Sequence, residues 1–463
     1  MTLEGRATRA LEALVLNEGG QTALGPVREA PVSLSGLVVT SAGMTVSDRD
    51  DADVAPTSPP RRQPPGAAAL GAAIGPFART GSYYAQSWRD YLDRRPRELP
   101  VARPTIALAA HAFRDEIVLL GLRARRPVSD VQAFDRINSE VEAALDFYGR
   151  RGWLENTEGF FAQPPPLVDV TIKRVNSRRH PHERIAFDSG YSPDPGEPGA
   201  QRWSGYAANA REYALMLRHT EPRPWLVCIH GAEMGRAALD LTLFRAWHLH
   251  NDLGLNVVLP VLPMHGPRAR GLPKGKVFPG EDVMDNVHAA AQAVWDIRRL
   301  LSWIRSQEPG SPIGLNSISL GGYVASLVAS LENDLTCAIL GVPVADLIDL
   351  LGRHAGLSAD DPRRETMTLA EPIGRMVSPL SMEPRVPMVG RFIYGGIADR
   401  LVQPREQVVR LWEHWGKPEI VWYQGGHTGF FEARPVQRFI DDALMQSGLI
   451  GGAPIVRRTD RPA

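Results

Sequence analysis

The chain has few cysteines and no net charge, and it has no long apolar run. Cys228 and Cys337 are the two cysteines in 463 residues, and both sit in short apolar stretches, WLVCI and TCAIL. A disulfide framework is not expected. Both thiols read as small buried hydrophobes, which fits a reducing, cytoplasmic setting. Lysine plus arginine number 52 and aspartate plus glutamate 52, so the formal net charge is zero, and no block of like charge stands out. Binding to nucleic acid rests on neutralising phosphates, so no nucleic-acid partner is expected. No segment approaches the roughly 20 consecutive apolar residues that a membrane-spanning helix needs. The opening stretch, MTLEGRATRALEALVLNEGG, has no sustained apolar core of the signal-peptide kind.

Motifs for several other chemistries are also missing. No G-x-G-x-x-G follows an apolar strand pattern, and GLPKGK at 271–276 lacks the spacing of a phosphate loop. No H-E-x-x-H occurs. His248 and His250 are two apart in a helical pattern, so they face different ways and make a poor metal pair. No metal and no cofactor is expected.

What is present divides along the chain. Residues 1–75 read as a flexible segment and linker, with 45–75 rich in Asp, Pro, Ala and Arg. Residues 76–166 read as a helical region, with helices near 82–94, 104–123 and 128–151. In the last of these, Val131, Phe134, Ile137, Val141, Ala144, Leu145 and Tyr148 recur at three- and four-residue spacing and form one apolar face. From 167 to 450 short apolar runs begin to alternate with longer helical patterns, which predicts an α/β domain with a mostly parallel sheet. The first three runs lack intervening helices and read as antiparallel edge strands. A long connection, 346–385, reads as a cap or lid insertion, and 451–463 as a flexible tail.

The chemistry concentrates at three points. An apolar strand pattern runs into Ser317-Ile318-Ser319-Leu320-Gly321-Gly322 and then into a helix, YVASLVASLEN. A serine at such a turn projects its hydroxyl from the end of the sheet, beside the positive end of the following helix. Further on, RFIYGGIADRLV carries Asp399 just past a strand, and EIVWYQGGHTGFF carries His427 just past another. A lone Asp in a turn is usually a turn former. Serine, then acid, then histidine, each beyond a strand, is a far less common coincidence. Asp346, after the run CAILGVPVA, is a competing acid.

The serine segment resembles the G-x-S-x-G nucleophile elbow of the esterase- and lipase-like α/β-hydrolases, with Ser317 in place of the first glycine. That resemblance covers about 167–448. It implies a central, mostly parallel sheet of about eight strands with helices on both faces, here preceded by the helical N-terminal region. It implies Ser319 as nucleophile, His427 as base and Asp399 as the acid that orients the base. Oxyanion donors would be the N–H of Leu320 and one from the loop His230-Gly231-Ala232-Glu233, either Ala232 or Glu233. The implied activity is hydrolysis of a small acyl ester or thioester through an acyl-enzyme. Amide or peptide hydrolysis, or a catalytically idle binding scaffold, are the rival readings. His230, Gly231 and Glu233 would line the substrate site. Arg268 or Arg270 would either grip an anionic part of the substrate or pair with Glu281, Asp282 or Asp285. In the cap, Leu351 and Met376 would either wall an acyl chain or pack the cap onto the body.

Overall fold

The structure, a computed structural model, describes residues 65–93, 99–125, 131–176 and 181–451. The predicted flexible stretch 1–64 and nearly all of the predicted tail, 452–463, lie outside the described residues. Contacts divide the chain into two units, Met1–Ile74 and Gly75–Ala463. Of the first unit only the helical residues 65–74 are described.

Three helices open the described chain: α1 (Pro65–Leu92), α2 (Ile106–Arg125) and α3 (Val131–Arg150). The sequence reading ended the linker at 75, and the structure corrects this by starting α1 at Pro65. The segment PGAAALGAAIG explains the difference. Proline is tolerated in a first helical turn, and alanine has the highest helix propensity. On α3 the predicted apolar face is buried through Phe134, Ile137, Val141, Ala144 and Tyr148.

The sheet has nine strands: β1 (Thr171–Val175), β2 (His182–Asp188), β3 (Arg211–Leu217), β4 (Trp225–Ile229), β5 (Asn256–Pro260), β6 (Ile313–Ile318), β7 (Leu335–Gly341), β8 (Arg391–Gly396) and β9 (Glu419–Tyr423). Their order is β1-β2-β3-β5-β4-β6-β7-β8-β9. The first three are antiparallel to their neighbours, and β5 through β9 pair in parallel. This is the α/β architecture that the alternating pattern and the resemblance imply, with β1 as one strand more than the expected eight.

Side chains alternate across the sheet, and each face has its own core. Along β4, Trp225, Val227 and Ile229 join one core with α3, α4 (Val283–Gln307) and α5 (Leu320–Leu331). Leu226 and Cys228 point the other way, into a second core that includes Phe439 and Leu444 of the late helix Arg434–Gln446. Both cysteines are free and buried. The long connection 346–385 forms α6 (Leu347–Ala355), α7 (Arg363–Leu369) and α8 (Glu371–Met376). Among the described residues no helix is long and apolar enough to cross a membrane.

One buried ion cluster ties the antiparallel edge to the helical layer. Arg268 is fully buried and meets two buried carboxylates, Glu212 on β3 and Asp296 on α4. It also donates to the carbonyls of Val261 and Asn209, each at 2.9 Å. Removing one partner from such a cluster strands the others in a medium that solvates charge poorly. Arg268→Ala is therefore expected to lower unfolding free energy by about 3–5 kcal/mol in denaturant titration. Arg268→Lys should recover only part of this, because an ammonium cannot reproduce the planar fork.

Candidate active site

The parallel strands β6, β8 and β9 all end at one edge of the sheet, so the loops that follow them gather there. Ser319 stands directly after β6 with φ 57° and ψ −115°. A positive φ is uncommon for a residue with a side chain and marks a sharp, locally strained turn. Neighbouring glycines make the turn possible. A Cβ on Gly321 would stand 2.0 Å from the Ile229 carbonyl oxygen, and one on Gly322 2.7 Å from Pro343 Cβ. Ser317, where the motif has glycine, is fully buried and donates its hydroxyl to the Ile339 carbonyl at 3.1 Å. Strand β7 thus satisfies the extra hydroxyl. Ser319 itself is half-buried between the buried Ile318 and Leu320.

His427 Nε2 lies 3.0 Å from Ser319 Oγ, and its Nδ1 lies 2.7 Å from Asp399 Oδ2. The other oxygen of Asp399 accepts from the N–H groups of Leu401 and Val402 at 2.9 and 2.7 Å. Both oxygens of the carboxylate are therefore engaged, which holds one of them toward the imidazole. Burial alone would depress the His427 pKa. The Asp399 charge, its hydrogen bond and the nearby Asp115 charge outweigh burial and raise it above the ordinary 6.5. The acid and base loops also bond to one another, with Ala398 N–H donating to the Gly425 carbonyl at 3.0 Å.

The competing acid has a different occupation. Asp346 caps α6, accepting from Asp349 N–H at 3.0 Å, and pairs with Arg410 at 3.2 Å.

The loop after β4 closes on the elbow. A Cβ on Gly231 would stand 3.2 Å from the Ile318 carbonyl oxygen and 3.3 Å from Ser319 Cβ, so only glycine lets this loop approach freely. The Gly231 N–H is turned to Met234 Sδ at 3.3 Å. Ala232 follows, half-buried against the main core, and Glu233 takes φ 63°. Leu320 opens α5, so its N–H has no carbonyl one turn earlier to bond.

Three predicted substrate contacts are corrected. His230 is fully buried; its Nδ1 donates to the Gly231 carbonyl at 2.7 Å and its Nε2 accepts from Leu262 N–H at 3.0 Å. Burial, with help from His265 and Arg268, pushes its pKa down to about 3, so it is a neutral strut between the ends of β4 and β5. Arg268 is locked in its carboxylate cluster, not turned to a ligand, and its partners are Glu212 and Asp296 in place of the three acids anticipated. Met376 is fully buried in the main core, so it packs the 346–385 connection onto that core and is not placed to wall an acyl chain. Leu351, on α6, is half-buried.

The sequence reading missed Asp115. This residue of α2 is fully buried, and its Oδ2 accepts from His427 N–H at 2.7 Å and Arg400 N–H at 3.1 Å. A signal was there to read: Leu108, Ala112, Asp115 and Leu119 share helical spacing and are all buried, so a carboxylate sits within an apolar stripe.

No family model matches the chain. Two proteins of Mycobacterium tuberculosis, the uncharacterized protein MT2702 of strain CDC 1551 / Oshkosh and the uncharacterized protein Rv2627c of a second strain, are similar to it. Each is 72% identical over 394 residues, covering 85% of this chain and 95% of the relative. Solved structures similar to it include acetyl xylan esterase 1 from a Thermoanaerobacterium species, at 15% identity and a TM-score of 0.46, covering 69% of this chain and 99% of that one. Another is the acylaminoacyl peptidase of Pyrococcus horikoshii, at 14% identity and a TM-score of 0.36, covering 60% of this chain and 41% of that one.

The two candidate acids are separable by mutation. Asp399→Asn keeps the shape but favours the wrong imidazole tautomer, so turnover of an activated ester should fall by several orders of magnitude. Asp346→Asn should leave turnover near the parent rate, since its bonds are to α6 and Arg410. A larger loss from Asp346→Asn would reverse the assignment.

Proposed function

The chain belongs to the family of these two mycobacterial proteins and has the α/β-hydrolase fold, and on that premise we propose that it is a serine hydrolase of carboxylic esters or thioesters. The observation that carries this reading is the hydrogen-bonded series from Ser319 through His427 to Asp399 at the carboxyl edge of the sheet. An idle scaffold has no need to keep such a series aligned, which weighs against a pure binding role.

In the proposed reaction Ser319 Oγ attacks the acyl carbon as His427 Nε2 takes its proton. Asp399 holds the proton on Nδ1 and stabilises the imidazolium. Negative charge builds on the former carbonyl oxygen, next to the N–H groups of Leu320 and Ala232. Each such preorganised donor contributes about 3–4 kcal/mol of transition-state stabilisation. The imidazolium then protonates the departing alcohol or thiol, leaving the acyl group on Ser319. Water, deprotonated by the same imidazole, releases the acid and restores the serine.

Two outcomes test this. A fluorophosphonate probe should label one serine, Ser319. Ser319→Ala should abolish labelling with little change in stability, while Ser317→Gly should keep it, losing about 1 kcal/mol for one hydrogen bond. Full labelling of Ser319→Ala at another serine would overturn the assignment. His427 must be neutral to act as base, so its raised pKa sets the acid limb of kcat/KM above the ordinary imidazole value of 6.5. A limb below that value would contradict the engaged Asp399–His427 pair.

A further inference from the structure

Asp115, on α2, joins the helical N-terminal region to both loops of the candidate site. Asp115 Oδ2 bridges two loops by accepting the main-chain N–H of His427 and that of Arg400, the residue after Asp399. Its Oδ1 is buried and has no hydrogen-bond partner. A Cβ on Gly426 would stand 2.5 Å from this carboxylate, so the glycine before His427 is what admits it. Burying an ionised carboxylate with one oxygen unpaired is costly, and a fold built for stability alone would put an amide or an apolar side chain there.

We infer that Asp115 is a positioning residue of the hydrolase site, holding the His427 main chain against the turn that carries Asp399 and placing a second negative charge beside the imidazole. This rests on the serine-hydrolase reading and adds a fourth member to it. The bond from the His427 main-chain N–H to Asp115 fixes where the ring begins, and the bond from its Nδ1 to Asp399 fixes where it points. The single oxygen couples both loops, so a shift of one is transmitted to the other.

The neighbouring helix contacts serve attachment. Glu116, next along α2, pairs with Arg79 and with Arg400. Tyr83 of α1 donates to the Ile397 carbonyl at 3.3 Å. The titratable and charged groups around Asp115 are Asp399 and His427 from the two loops, Arg400, Tyr423 at the end of β9, Tyr83, and His111, Arg114 and Glu116 on its own helix; His354 of α6 faces the Asp399–His427 pair. Burial and the Asp399 charge raise the Asp115 pKa to about 7. A carboxyl raised this way binds its proton more tightly folded than unfolded. It therefore costs stability as pH rises from its ordinary 3.8 through about 7, and the cost is fully present above that.

The test compares the parent, Asp115→Asn and Glu116→Gln in the full chain, by the rate of fluorophosphonate labelling at Ser319 as a function of pH and by Tm. Labelling of the parent checks the underlying reading separately; without it that reading fails before Asp115 is tested. With the parent labelled, Asp115→Asn should label about 10- to 100-fold more slowly, the size of loss that small misplacements of a catalytic group cause. Its acid limb should move to lower pH, because a charge that raises the His427 pKa is gone, and its Tm near neutrality should be no lower than the parent's. Glu116→Gln should lower Tm and leave the acid limb in place. Parent-like rate and limb in Asp115→Asn would overturn the inference. So would slower labelling with an unmoved limb and a lower Tm, or the same limb shift in Glu116→Gln.

Discussion

Burying two carboxylates with no lysine or arginine side chain bonded to either is the constraint on which this edge of the molecule depends. Asp399 is 2% exposed and Asp115 is fully buried. Among the described residues neither is bonded to a lysine or arginine side chain; Asp399 relies on two backbone N–H groups and the His427 imidazole, and Asp115 on two backbone N–H groups. Such groups compensate a buried charge only when they are aimed at it, so the loops from Gly396 to Val402 and from Gln424 to His427 have little freedom. The orientation of His427 toward Ser319 follows from that restriction.

The same constraint explains how the parts of the chain depend on each other. Sheet strands β6, β8 and β9 supply the three loop positions, but the loops are held from outside the sheet as well. Helix α2 contributes Asp115 and Glu116, and α1 contributes Tyr83. From α6, His354 bonds the Leu401 carbonyl at 2.7 Å, and Arg123 of α2 in turn bonds the His354 carbonyl at 2.8 Å. The helical region, α6 and the loop that carries Asp399 thus share one network. The helical region, which reads from sequence as helices ahead of the α/β domain, is bonded to the loops that carry Asp399 and His427.

Much of this was legible in the sequence because it is local. Strand runs and helix periods follow from side-chain alternation, and the alternation of short apolar runs with helical patterns after 167 appears as the strands and helices of the sheet domain. The elbow is legible because the close approach near Ile229 admits only glycine at 321. Asp399 and His427 were legible by order and by position after strands. Long-range pairing was not. Arg268 was expected to find an acid nearby in sequence, whereas its partners are 56 and 28 residues away. His230 reads as a loop residue beside a substrate, yet two backbone bonds turn it inward. Met376 belongs to a stretch that reads as an adaptable apolar surface, and that surface meets the protein's own core. Asp115 was missed because an acid among apolar helix positions reads as an exposed interruption, and only the fold brings it against His427.

The most direct test of the account is a rapid-mixing experiment with a chromogenic ester. If Ser319 is acylated faster than it is deacylated, one equivalent of alcohol per chain appears in an initial burst, and mass analysis of the quenched protein finds one acyl group on Ser319. An acyl adduct at a residue other than Ser319, or hydrolysis that persists undiminished in Ser319→Ala, would contradict it.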